Sequence, residues 1–147
     1  MREQLEELGQ LVDRIDAYTK KALQSDDQAY WDAVALNLHG FYSGIERIFE
    51  DVARTIDTSV PEGPGWHADL LVQMASELNG NRPAVITRDT RICLDEYRGF
   101  RHLVRNIYAF NLRPSRILEL AQDLPACYKS IVRDLFSFAT FLDGIDR

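Results

Sequence analysis

The stretch from Arg98 to Tyr108 reads RGFRHLVRNIY and gathers three arginines, a histidine, an asparagine and a tyrosine in one short run. A guanidinium is a planar fork of donors that matches the oxygens of a phosphate. An imidazole titrates near neutrality, so it can take up a proton and give it back within one reaction cycle. An asparagine amide can hold a group through hydrogen bonds but cannot titrate. Arg98, Arg101, Arg105, His102 and Asn106 could therefore grip a phosphodiester and move protons across it, with Tyr108 close by. The plainer reading is that they decorate one solvated face of a helix.

The surrounding charge bears on this choice. From Arg82 to Arg116 there are eight arginines (82, 88, 91, 98, 101, 105, 113 and 116) against Asp89, Asp95 and Glu96. That segment carries +5 in a chain of net charge −6, which leaves −11 elsewhere. So acidic a chain is not expected to bind nucleic acid generally. A local basic patch can still attract a polyanion, because salt limits the reach of distant acids to about 10 Å.

The element that must position these groups is a helix, which turns about 100° per residue. With Arg101 at zero, Arg105 falls at about 40°, Arg98 at about 60° and Tyr108 at about −20°. Phe100, Val104 and Ile107 fall between about −60° and −120° and form the expected core-facing stripe. His102 and Asn106 share a third sector, at about 100° and 140°. The segment VITRDTRICLDEYRGFRHLVRNIYAF therefore predicts one long helix, capped by Thr87 or Asp89, with Gly99 as a weak point. Its basic groups are expected on an exposed or interfacial face.

The rest of the chain reads helical too. Leu5, Leu8, Leu11, Val12, Ile15, Tyr18 and Ala22 recur at three-to-four spacing and predict a first helix over residues 2 to 24. Ser25 or Asp26 is the expected N-cap of a second, running from Asp27 to Ile56 with Tyr30, Trp31, Val34, Leu38, Phe41, Ile45, Ile48, Phe49 and Val52 as its apolar residues. Gly40 and Gly44 within it each cost about 1 kcal/mol against alanine, a cost that a close helix crossing would offset. The stretch TSVPEGPGW interrupts the pattern, and a short helix over 67 to 78 follows, ended by NGNRP. Pro114 fits the first position of a last helix, and Pro125 suggests a kink in it. No alternating strand pattern, internal repeat or low-complexity tract is visible. The expected architecture is a single all-α domain over residues 1–147, an antiparallel bundle of about five helices.

At 147 residues such a domain can bury about two-thirds of its unfolded surface. No apolar run approaches the roughly 20 residues of a membrane span. The charged, periodic start MREQLEELGQLVDR is unlike a signal peptide. With only Cys93 and Cys127 and no CxxC, a reduced, cytoplasmic protein without a disulfide framework is expected.

The runs NLHGFYSGIERIFEDVA, GWHADLL and LDEYRGFRHLVRNIYAFNL, in this order, resemble the HepT-like toxin ribonucleases of the HEPN superfamily. The resemblance implies a helical homodimer whose cleft lies where two fourth helices meet, and which cleaves RNA without metal or other cofactor. It implies a partner as well, an MntA-like nucleotidyltransferase antitoxin that attaches AMP to the motif tyrosine. The family motif is an arginine, four to six residues, a histidine, one residue and a tyrosine. Carried over, its arginine falls on Arg101 and its tyrosine on Tyr108, whereas Asn106 stands at the histidine position. In the commoner form asparagine follows the arginine and histidine comes four residues later, so His102 and Asn106 have exchanged places. Residues four apart are neighbours on a helix, so the exchange moves the imidazole by about one turn. Two expectations follow. In one, His102 transfers protons, Arg101 steadies the phosphorane charge, Asn106 orients the phosphate, and Arg98 and Arg105 bind RNA. In the other, the chain is a non-catalytic binding module, an RNA binder or a nucleotidyltransferase partner.

Other polar residues have quieter readings. His39, in LNLHGFY, is expected as a hydrogen-bonded core histidine, and His67 as a residue that caps or packs at a helix start. Tyr42 and Glu46, one turn apart, could reach the cleft or make a buried hydrogen bond. Three scattered histidines give no metal-ligand spacing, so no structural metal is expected.

Overall fold

The computed structural model describes residues 1–106 and 112–145, excepting the side chains of 105 and 106. Among these residues the chain forms five α-helices, arranged as an all-α bundle. Helix α1 (Arg2–Leu23) buries Leu5, Leu8, Val12, Ile15 and Ala22, the stripe that its periodicity marks, with Leu11 and Tyr18 at the edge of the core. Helix α2 (Gln28–Val52) is the centre of the bundle: Val34, Leu38, Phe41, Ile45, Ile48 and Phe49 are all fully enclosed. Its cap is Asp27 rather than Ser25 or Asp26. The Asp27 carboxylate accepts from the Ala29 amide at 3.0 Å, while Ser25 Oγ accepts from the Asp27 amide at 3.0 Å and shapes the turn before it.

The expected end of α2 at Ile56 is also revised. After Val52 the chain passes into a π-helical turn, Ala53–Asp57, closed by Thr58 in a left-handed conformation (φ 53°). The turn presents Asp57 to Arg82. The carboxylate accepts from Arg82 Nε at 2.5 Å, from a terminal nitrogen of Arg82 at 2.8 Å and from Gln73 at 2.7 Å. Arg82 also donates to the carbonyls of Ser76, Pro83 and Gln73, so all five of its N–H groups are used. A guanidinium so satisfied can be buried, and Arg82 belongs to this ion pair rather than to a surface basic patch.

Helix α3 (Trp66–Met74) starts one residue earlier and ends four earlier than expected, giving way to a turn through Gly80 (φ 79°) closed by a Leu78–Arg82 bridge. Helix α4 (Arg88–Asn106) is capped by Thr87, whose Oγ accepts from the Thr90 amide at 3.3 Å. The amide and hydroxyl of Thr87 donate in turn to Asp134 at 2.8 and 3.0 Å. Gly99 does not interrupt α4, and the expected continuation to Phe110 lies outside the described residues. Helix α5 (Pro114–Ile145) begins at Pro114 as expected and runs through Pro125 as one element.

The helices are tied at their crossings. A Cβ on Gly44 would lie 2.6 Å from Leu8 Cδ2, so α1 and α2 meet closely there; at Gly40 the same distance to Leu11 is an ordinary 3.9 Å. Tyr97 donates to the Leu120 carbonyl and Tyr128 to that of Leu5, each at 2.7 Å, joining α4 to α5 and α5 to α1. Cys93 and Cys127 form a disulfide between α4 and α5, their Cα atoms 6.0 Å apart. The expectation of reduced thiols is thereby corrected: packing brings together two cysteines that stand 34 residues apart. Among the described residues no helix is long and apolar enough to cross a membrane.

Candidate nucleic-acid cleft

Three elements build the site. Helix α4 supplies Arg98, Arg101 and His102; the start of α3 and the loop before it supply Pro64, Gly65, His67 and Ala68. Together these line a cleft of about 440 Å³. Behind it, α2 supplies Tyr42, Ser43 and Glu46, of which Tyr42 and Glu46 are buried.

Arg101 is the residue that joins these layers. Its Nε donates to Ser43 Oγ at 3.0 Å, and a terminal nitrogen lies 4.0 Å from Glu46 Oε1. Its side chain is only 15% exposed. Of the exposed or interfacial basic face expected from the sequence, Arg101 is not an openly exposed member. Thr90, Leu94 and Tyr97, all buried, project within about 40° of Arg101 on the helix, so Arg101 continues the buried stripe at its cleft end. It has not turned into apolar surroundings; its partners are polar and it still lines the opening. Phe100 is buried and Val104 packs at the core edge, as the projection expects.

Part of the wider basic patch is compensated. Arg98 donates to Asp95 at 2.7 Å, and Arg116 pairs with both Glu96 and Glu119. Glu96 first, against the opposing cost of burial, holds the Arg116 guanidinium above its ordinary value. Asp95 and Glu96 already enter the segment's net charge, but Glu119, Asp57 and Glu46 lie outside it, and a count along the sequence cannot see that they stand beside Arg116, Arg82 and Arg101.

Two residues gain importance over their sequence reading. Glu46 is buried and accepts from His67, whose Nδ1 lies 2.7 Å from Glu46 Oε2. The His67 ring stacks on Trp66 with centroids 3.7 Å apart. His67 thus does more than start a helix: it is a wall of the cleft, fixed on one edge by a carboxylate. The only hint in the sequence was a histidine in the resembling run GWHADLL. Burial, and after it the Glu46 carboxylate, pushes the Tyr42 hydroxyl far above its ordinary value, so it stays protonated as a neutral donor.

The remaining candidates divide. His102 is exposed on the cleft rim. Arg105 and Asn106 form the last described turn of α4, and their side chains lie outside the described residues, as does Tyr108 entirely. His39 is not a core histidine: it is half-buried and lines a polar groove between α1 and α2, with Arg14, Ser43 and Arg47. Among the described residues no three His, Cys, Asp or Glu side chains converge as a metal site.

A helical bundle with this arginine and histidine cleft on its fourth helix is of the HEPN type. The family model described as HepT-like protein matches residues 33–142, three-quarters of the chain, and the chain belongs to that family. The family is ribonuclease-related and toxin-type in function. Comparison with curated proteins and with solved structures returned no match.

Proposed function

We propose that this protein is the toxin of a toxin–antitoxin pair, a metal-independent endoribonuclease acting as a homodimer. What carries the reading is Arg101, held by Ser43 and Glu46 at the wall of a cleft that also exposes imidazole. A pre-positioned guanidinium needs no reorganisation as charge develops on the phosphorus oxygens. Arg101 stabilises that charge, His102 transfers a proton, and Asn106 orients the scissile phosphate. Arg98 and Arg105 hold the neighbouring backbone of the RNA. Two α4 helices, one from each copy, complete the cleft. A nucleotidyltransferase antitoxin of the MntA-like kind silences it by attaching AMP to Tyr108.

Incubation of the protein with transfer RNA tests the assignment. Arg101→Ala and His102→Ala each lower cleavage by about 10²-fold or more. Wild-type rates in both variants refute it.

One residue favours a second reading. Asn106 occupies the motif histidine position and cannot titrate, which suits a non-catalytic module that binds RNA or the nucleotidyltransferase. Expression of the chain alone separates the two: growth arrest supports the enzyme, and unhindered growth supports the module.

A further inference from the structure

Cleavage of RNA through its own 2′-hydroxyl needs two proton transfers, one from that hydroxyl and one to the leaving 5′-oxygen. His102 accounts for one of them. Asn106 cannot perform the other. The cleft holds a second imidazole, His67, whose Nδ1 is held by Glu46 at 2.7 Å. We infer that His67, positioned by Glu46, is the base that takes the proton from the 2′-hydroxyl, an inference that rests on the ribonuclease reading.

The geometry supports this in three ways. Glu46 has 4% of its side chain exposed and bonds His67 Nδ1 at 2.7 Å. An ionised carboxylate only accepts, so the proton of the neutral ring sits on Nδ1 and the lone pair on Nε2. The ring lines the cleft, is 24% exposed, and stacks on Trp66. Finally, the second oxygen of Glu46 lies 4.0 Å from Arg101. One buried carboxylate therefore holds the base and lies beside the guanidinium that receives the phosphorane charge, which Ser43 fixes at 3.0 Å. Among the described residues, Glu46 and Tyr42 on α2, and Asp95, Arg98, Arg101 and His102 on α4, are the charged or titratable groups in or directly behind this cleft region with His67.

The step balances. The 2′-hydroxyl proton passes to Nε2 of His67 as the 2′-oxygen bonds to phosphorus. The bond from phosphorus to the 5′-oxygen breaks, and that oxygen takes a proton from the His102 imidazolium. The products are a 2′,3′-cyclic phosphate and a 5′-hydroxyl. The imidazolium left on His67 faces the Glu46 carboxylate, which stabilises it. Water then returns both rings to their starting states. In this assignment Glu46 is a positioning residue.

The test is the pH profile of cleavage of an end-labelled RNA oligonucleotide by the full chain, with melting curves to confirm folding. His67→Ala lowers kcat about 10²- to 10⁴-fold, removes the acid limb of the profile, and recovers in part when imidazole is added. Glu46→Gln lowers the rate at least about tenfold but keeps the acid limb, because the titrating ring is still present. His67→Gln, which retains a hydrogen-bonding side chain, replaces the alanine variant if that chain does not fold. A folded His67 variant as active as wild type, or one that is slowed with the acid limb intact and no response to imidazole, overturns this inference and leaves the ribonuclease reading standing. Wild-type protein inert towards RNA removes both.

Discussion

Among single residues, those with satisfied burial set the behaviour of the site and of the fold. Arg101 and Arg82 are both arginines of the basic segment, yet one faces a cleft and the other is sealed beside Asp57. Burial pushes the Asp57 carboxyl up, but hydrogen bonds from Arg82 and Gln73 and the charge of Arg82 outweigh it and hold the group below its ordinary value. A depressed folded value means that the stabilisation is complete above the unfolded value, about 3.9, and is lost as pH falls through the folded one. Thermal melts taken downward from neutral pH therefore show an acid-side loss to which Asp57 contributes, and Asp57→Asn flattens part of it. An unchanged acid-side slope in that variant contradicts the assignment. Asp57→Ala, which strands Arg82, costs about 3–5 kcal/mol at neutral pH in a denaturant titration.

For whole elements, the crossings decide what each helix tolerates. A Cβ on Gly44 would force the Leu8 methyl groups to shift, whereas nothing lies within 4 Å of a Cβ built on Gly99. Gly44→Val is expected to destabilise by about 1–3 kcal/mol through overpacking of the α1–α2 seam. Gly99→Ala is expected to stabilise by up to about 1 kcal/mol, since α4 gains helix propensity without a clash. Thermal melts of the two variants should move in opposite directions. The same logic applies to α4 and α5, which the disulfide joins across 34 residues. Closing a loop of that length is worth about 3–4 kcal/mol, so Cys93→Ser or a reductant lowers the melting temperature. A melt insensitive to both shows that the bridge contributes nothing to stability.

At the scale of the molecule, one cleft combines groups from α2, α3 and α4, and its proposed completion by a second copy would set activity under the control of assembly. The AMP group proposed for Tyr108 would add negative charge that repels RNA and engages guanidinium groups. Coexpression with the nucleotidyltransferase should give an adduct of AMP mass on the peptide containing Tyr108, by mass spectrometry, and Tyr108→Phe should abolish it. Absence of the adduct on the wild-type peptide ends this part of the proposal.

The apolar periodicity of Leu5 through Ala22, Thr87 as one of two candidate caps, the Pro114 start and an interruption beginning at Thr58 could be read along the chain, because they are set largely by local geometry. So could the placing of Arg101 and His102 side by side on one helix, where both line one cleft. The Cys93–Cys127 bridge, the burial of Arg82 and the Glu46–His67 couple could not. Each joins residues at least 21 positions apart, and helical spacing carries no information about which face of one helix meets which face of another. Only packing decides that, and with it whether a charge stands in water, in an ion pair or at the wall of a cleft.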